Sequence, residues 1–252
     1  MKHLINILLI ISFTSSIFCD ELRKYKDIIL IKEKYEIIYS NIDEINSFDI
    51  SDFWTDSTLQ RTRFGFIGLN YRRLDIKFLC VNKSDENSNK YIVKGKSRVN
   101  KNICEFQGFI EIKESYYLNS NEYFDGNSGL MIGEYIFYEN RNSKNSGIFR
   151  GRFISYWNKK SNNFSQLKLP ENEGNNQFVG SWTEYNRNKS IVANWGNFRI
   201  YNSGDLDVGV SEFGVNNKYK INGWESFINA HGGGNNKEDT NIARKEEENK
   251  WW

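Results

Sequence analysis

Histidine is nearly absent from this 252-residue chain: His3 and His231 are the only two. That leaves no histidine cluster for zinc or copper and no general base for a Ser-His-Asp or Cys-His triad. There is a single proline, Pro170, and neither a GxxxxGK[ST] loop nor a GxGxxG following a strand pattern, so nucleotide cofactors have no anchoring motif. Charge of one sign is lacking too. The 34 basic and 32 acidic residues leave a formal charge of only +2. Short basic runs such as Lys94, Lys96 and Arg98 alternate with small or apolar residues, as on a solvated strand face. The sequence therefore argues against nucleic acid as a partner. Hydrophobic residues are few at 38%, but aromatics reach 15%. Phe, Tyr and Trp bury far more area per residue than Ala or Val, so a sizeable core is still within reach.

Long apolar runs are confined to the first residues. Lys2 and His3 form a short polar start, Leu4 to Phe13 an apolar run, and Thr14, Ser15 and Ser16 a small-residue stretch before Asp20 and Glu21. This is the anatomy of an export signal over 1–19, too short for a stable membrane span. Cleavage after Cys19 or after Ser16 both fit, Cys19 being preferred. The expected compartment is thus exported: periplasmic, cell-surface or secreted. A second use of Cys19 is lipidation, which would tether the domain to a membrane, although Phe18 stands where a small residue is expected. No later segment is apolar enough to cross a bilayer. In an oxidising compartment the remaining pair, Cys80 and Cys104, invites a disulfide. Two buried thiols are the alternative.

Residues 20–62 form an N-terminal segment in which Leu22, Tyr25, Ile28, Ile29, Ile38, Ile42 and Ile45 suit an amphipathic helix. Ile28 to Ile31 would equally suit a buried strand. From residue 63 the period is two. Leu74, Ile76, Phe78 and Cys80 alternate with polar residues, as do Tyr91 to Ser97 and Cys104 to Ile112. The pattern resumes over Leu130 to Glu139, Gly147 to Trp157, Gln177 to Tyr185 and Ser190 to Ile200. Asn- and Ser-rich breaks separate these segments. Over 63–230 this gives an all-β domain, an antiparallel meander of about eight strands. Closing it into an up-and-down barrel hides its edges better than an open sheet or sandwich does. Gly108, Gly133, Gly151 and Gly180 fall inside strands, where they suggest bends or bulges. Residues 231–252 are glycine-rich and then charge-dense without an apolar face, and read as a flexible polar tail.

Chemistry concentrates between Asn176 and Trp224. Asp205 and Asp207 flank Leu206, and in an extended segment both carboxylates share a side. With Glu212 they make a candidate oxygen site for Ca2+. The same acids are the candidates for a carboxylate hydrolase acting on extracellular glycans. Trp182, Trp195 and Arg199 are the candidate ligand-binding side chains, because aromatic faces stack on sugars or apolar molecules. The segments NNQFVGSW, NWGNFRI, SGDLDVGVSEF and NGW together resemble a C-terminal signature of uncharacterised exported bacterial proteins, a resemblance covering about fifty residues and implying no activity. The strand run and the Gly180-Ser181-Trp182 triplet are similar to lipocalin-type barrels, which implies a small apolar ligand. The leading expectation is an exported, non-enzymatic binding protein for a small apolar or sugar-like ligand or a surface partner. A hydrolase and a structural envelope protein are the other two readings.

Overall fold

Alternation of period two carries through to strands because each segment has one face to bury and one to solvate. They are β1 (Glu36–Ser40), β2 (Arg63–Ile67), β3 (Arg72–Lys83), β4 (Lys90–Val99), β5 (Asn102–Asn119), β6 (Asp125–Glu139), β7 (Gly147–Lys160), β8 (Asn163–Gln166), β9 (Asn175–Glu184) and β10 (Ser190–Asn197). The computed structural model describes residues 36–55, 63–119, 125–161, 163–167, 175–187, 189–234 and 236–252. The export signal, Cys19 and residues 20–35 lie outside them.

The fold is all-β. Strands β2 to β7, then β9 and β10, each pair antiparallel with the next, and β10 pairs back onto β2. Eight strands so joined form a barrel-like ring, the expected meander. An even count is what lets the first and last strands meet antiparallel. Strands β5, β6 and β7 run on past the ring, where β1 adds to β5 and β8 to β7. The outer face of this extension carries a second apolar cluster, Leu118, Leu130, Ile132, Ile154 and Tyr156.

Aromatic rings fill the interior. Phe178 stacks on Trp195 with centroids 5.4 Å apart and planes 6° from parallel, while Tyr135 meets both edge-on. Phe78, Phe106 and Phe137 form a neighbouring trio. Such pairs contribute roughly 0.5–1.5 kcal/mol each beyond area burial. The strand glycines make this packing possible in a way other than the bends expected of them. A Cβ on Gly133 would come within 2.5 Å of the Phe153 ring, and one on Gly151 or Gly180 within 2.7 Å of the Tyr135 hydroxyl. They face inward and leave room for rings.

One end of the ring is plugged. Helix α1 (Ile42–Ser47) supplies the helical element expected near the N-terminus, and α2 (Asp52–Thr55) follows it. Trp54 enters the core edge-on to Tyr91 and Phe153. Inward-facing Arg63 donates to the Trp54 carbonyl at 2.9 Å, and Lys83 to the carbonyls of Asn46 and Phe48. Glu44 accepts from Lys159 and from the Tyr117 hydroxyl, fastening α1 to β5 and β7.

The chain after β10 covers the outside of β2. Ile200, Leu206, Phe213, Trp224, Phe227 and Ile228 pack with Phe66 into a third cluster, which includes α3 (Glu225–Ile228). The expected flexible tail contains instead a twelve-residue helix, α4 (Lys237–Glu248), capped by the Asn236 side chain. It is held by polar chemistry rather than an apolar stripe. Glu247 receives both Nη1 and Nη2 of Arg73 at 2.7 Å, and Asp75 bridges Arg73 to Arg98. Beyond it, Trp251 lies under Arg98 and Trp252 under Lys77.

The expected Cys80–Cys104 disulfide is not made; both thiols are free. A bulge between Phe78 and Cys80 shifts the register, so Cys80 pairs with the outward Lys94 while Val81 takes the inward place opposite Val93. Cys104 keeps its inward position opposite Ser97. The two sulfurs therefore lie on opposite faces of the sheet with β4 between their strands. Two strand spacings, about 9–10 Å, already exceed the Cα separation of about 7 Å that a disulfide tolerates.

Two outcomes follow. Peptide mapping under non-reducing conditions should find both cysteines alkylated as thiols, and the melting temperature should be indifferent to reductant. Gly65→Val should destabilise by the upper end of about 1–3 kcal/mol, read as a lower urea midpoint at unchanged m-value. Its new Cβ would meet the Asn194 carbonyl at 2.1 Å and Trp195 Cβ at 2.4 Å, neither of which can yield.

Candidate functional site: the open mouth

Opposite the plug the ring is open. The basin there has a volume of about 1020 Å³, and Ser97, Glu139, Phe149 and Trp182 are among its lining residues. The turns β2–β3, β4–β5, β6–β7 and β9–β10 all fall at this end because alternate connections of a meander do. Gly68 at φ +75° makes the first of them, a left-handed position suited to glycine.

Strand parity delivers a carboxylate into the basin. On β6 the inward residues run Gly133, Tyr135, Phe137, Glu139, so a charge stands where the pattern asks for another apolar residue. Glu139 is 5% exposed. Its Oε1 accepts from the Ser97 hydroxyl. Its Oε2 accepts from the Gly147 N–H and from Trp182 Nε1, both at 2.8 Å. The Tyr185 hydroxyl donates to the Glu139 carbonyl at 3.0 Å, tying the β9–β10 turn to the same residue. Burial pushes the Glu139 carboxyl above its ordinary value of 4.5, and the hydrogen bonds from Ser97, Trp182 and Gly147 counter only part of that. The Cys104 thiol nearby is raised to about 11, first by its own burial and then by Glu139. It is no nucleophile near neutral pH.

The residues singled out in the sequence are not gathered into one place. Trp182 lines the mouth half-buried, held by Glu139. Trp195 is wholly buried in the aromatic core and presents no face to a ligand. Arg199 clasps a loop instead, with Nη1 on Asp207 at 2.6 Å and Nη2 on the carbonyls of Gly209 and Val210. Asp207 also accepts from the N–H groups of Gly209 and Gly214. Asp205 does not share its side, because Gly204–Leu206 is a 3₁₀ turn rather than an extended segment. It takes Lys218 and the Tyr219 hydroxyl. Glu212 is exposed on the loop that Arg199 closes. Among the described residues no three His, Cys, Asp or Glu side chains are placed to hold a metal ion.

The signature stretch thus builds scaffold. Gln177 donates to the carbonyls of Asn175, Asn197 and Arg199 and accepts from the Tyr201 N–H, fixing the turn after β10. Trp224 Nε1 donates to the Tyr71 carbonyl at 2.7 Å. Glu139 and Ser97 were not singled out from the sequence, although the inward parity of β6 carried the signal.

Glu139→Gln isolates the cost of the buried carboxylate. A glutamine keeps its oxygen toward Gly147 and Trp182 and turns its NH2 to the Ser97 oxygen. The folded wild type holds the Glu139 proton more tightly than the unfolded chain, so its stability falls as pH rises from 4.5 through the raised value. Chemical denaturation across that window should show this slope in the wild type and its loss in the variant; equal slopes would contradict the burial argument. Glu44 and Glu247, both held low, act in the opposite sense in either protein and cancel in the comparison. No family model, no curated protein and no solved structure matches this chain.

Proposed function

We propose that the chain is an exported, non-enzymatic binding protein that takes a small hydroxyl-rich, sugar-like ligand in the mouth of the ring. The observation that carries this reading is the fixed Glu139 carboxylate lining an open basin. Its Oε2 is occupied by two donors, whereas Oε1 takes one and keeps acceptor capacity for a ligand hydroxyl. The indole of Trp182, anchored through its Nε1, offers a ring edge or face beside it. Groups held in place before binding cost no ordering when the ligand arrives. The aromatic filling of the interior favours the mouth, and hence a polar ligand, over an apolar one lodged within the ring.

Support for binding rather than hydrolysis comes from the carboxylates themselves. Asp205 and Asp207 are engaged by separate cations. In the basin the second acid, Glu184, faces Arg187 at 3.8 Å. Neither Asp205 nor Asp207, the acids that stood as hydrolase candidates, lines the basin. Export rests on residues 1–19 alone.

Titration of the full chain with a panel of neutral mono- and oligosaccharides, followed by tryptophan fluorescence and calorimetry, tests the reading. A binder should perturb emission, and Trp182→Ala should abolish most of that change. Glu139→Gln should weaken binding by roughly tenfold or more, the worth of about 1.5–3 kcal/mol for a hydrogen bond to a charged group. Silence across the panel, with no ligand retained in native mass spectra of protein from its own host, would overturn it.

A further inference from the structure

The near-neutral charge of the chain hides a cluster of cations at the mouth of the ring. The four connections at the mouth, 68–71, 100–101, 140–146 and 185–189, contain Lys101, Arg141, Lys144, Arg187 and Lys189 and not one acid. All five cations are exposed, as is Arg72 at the start of β3. At the plugged end the acids of residues 41–55 and 84–89, Asp43, Glu44, Asp49, Asp52, Asp85 and Glu86, are met by Arg63, Lys83 and Lys159 on the adjoining strands. The sequence interleaves these connections and so shows no charged block; the meander sorts them by end.

Two aliphatic side chains are bare on the loops at this end, Leu69 among the basin residues Lys101, Arg187 and Lys189 and Ile221 on the neighbouring loop. Leu69, in the β2–β3 turn, is 90% exposed, and Ile221 is 92% exposed. They sit on loops joined to each other. Asn222 Nδ2 donates to the Asn70 carbonyl at 2.6 Å, Trp224 Nε1 to the Tyr71 carbonyl, and Tyr71 meets Tyr219 edge-on. Loops tied to each other thus hold two bare aliphatic tips next to the cationic rim, with Asp205 on the same side engaged by Lys218 and Tyr219.

From this juxtaposition we infer that the mouth end docks on an anionic lipid surface. Cations near such a surface gain from its negative potential, and aliphatic tips gain by entering the boundary between headgroups and acyl chains. A soluble polyanion or a nucleic acid would use the cations but offer no apolar layer to Leu69 and Ile221. Among the described residues no helix is long and apolar enough to cross a membrane.

Co-sedimentation of the full chain with phosphatidylcholine vesicles containing phosphatidylglycerol, against phosphatidylcholine alone, is the test. Partition onto the anionic vesicles only, weakening with added salt, is expected. Lys101→Glu with Arg187→Glu should reduce it by at least about tenfold, each lost cation counting for roughly fivefold. Leu69→Ser with Ile221→Ser should reduce it several-fold while leaving retention on heparin unchanged; both sites are exposed, and circular dichroism verifies the fold. Failure to partition onto anionic vesicles overturns the inference. So does a serine pair that binds them like the wild type, and so does full competition by heparin or duplex DNA together with that result, which would mark a polyanion surface instead. The inference does not rest on the basin's ligand, because partition is measured with no saccharide present, so either reading can fail without the other.

Discussion

The short seam between β2 and β10 is the constraint on which the rest of the molecule depends. Only four register pairs, Ala193–Ile67 to Gly196–Phe64, close the ring. Without them β2 and β10 are free edges, the aromatic interior is open to water, and the mouth has no complete rim. The seam is tight because Gly65 lets Trp195 lie against the backbone opposite, and it is sealed on the outside by the cluster around Phe66, Phe213 and Trp224. Inner ring stack and outer cover therefore meet at the same few residues, and each stabilises the other. The covering segment is in turn locked by the Arg73, Asp75 and Glu247 network. Removing one member of such a network leaves a buried charge uncompensated, which costs about 3–5 kcal/mol.

The mouth shows the opposite economy. Most inward positions on the strands of this ring are filled by aromatic, aliphatic or glycine residues, yet β6 ends its inward series in a carboxylate. A buried carboxylate is unfavourable for folding unless its lone pairs are occupied, and here three donors from β4, β7 and β9 converge on it. Local rules broken at one point and compensated by converging partners are characteristic of sites kept for use rather than for stability. The same residue acts on the thiol beside it, since burial and the carboxylate together hold the Cys104 proton in place.

Much of this architecture was legible in the sequence. Alternation placed most strands within a few residues, and their number and lack of intervening helices gave the meander. What escaped did so for identifiable reasons. The bulge at Leu79 is one residue long, and a period-two pattern carries no record of the half-turn it gives to Cys80; hence the mistaken bridge. Helix α4 has a single buried apolar residue, Ala243, and docks through Glu247 and Arg244, with the two cation–aromatic contacts following it at Trp251 and Trp252, so hydrophobic periodicity could not reveal it. The acid- and tryptophan-rich stretch drew attention as chemistry, but Trp195 and Asp207 turn out to be spent on packing and on closing a loop. Glu139 was visible in principle as a violation of parity. Its significance needed Ser97 and Trp182, which are distant in sequence and adjacent only once the ring is formed.

The closing seam also sets the order in which the molecule comes together. The hairpins from β3 to β7 join neighbours in the chain and are fast to zip, whereas nearly half of the chain separates β2 from β10. Loop closure over that distance must precede the contacts that reward it, which makes seam formation the natural slow step. A chain emerging from its N-terminal side would hold a curled, unclosed sheet until β10 was available. Its β2 edge would stay unpaired and the apolar Phe64 and Phe66 face uncovered until the segment around Trp224 arrived. That interval is where such a chain is most prone to pair with a second copy of itself. Its vulnerability is therefore kinetic, and belongs to the last stretch of its assembly rather than to the finished ring.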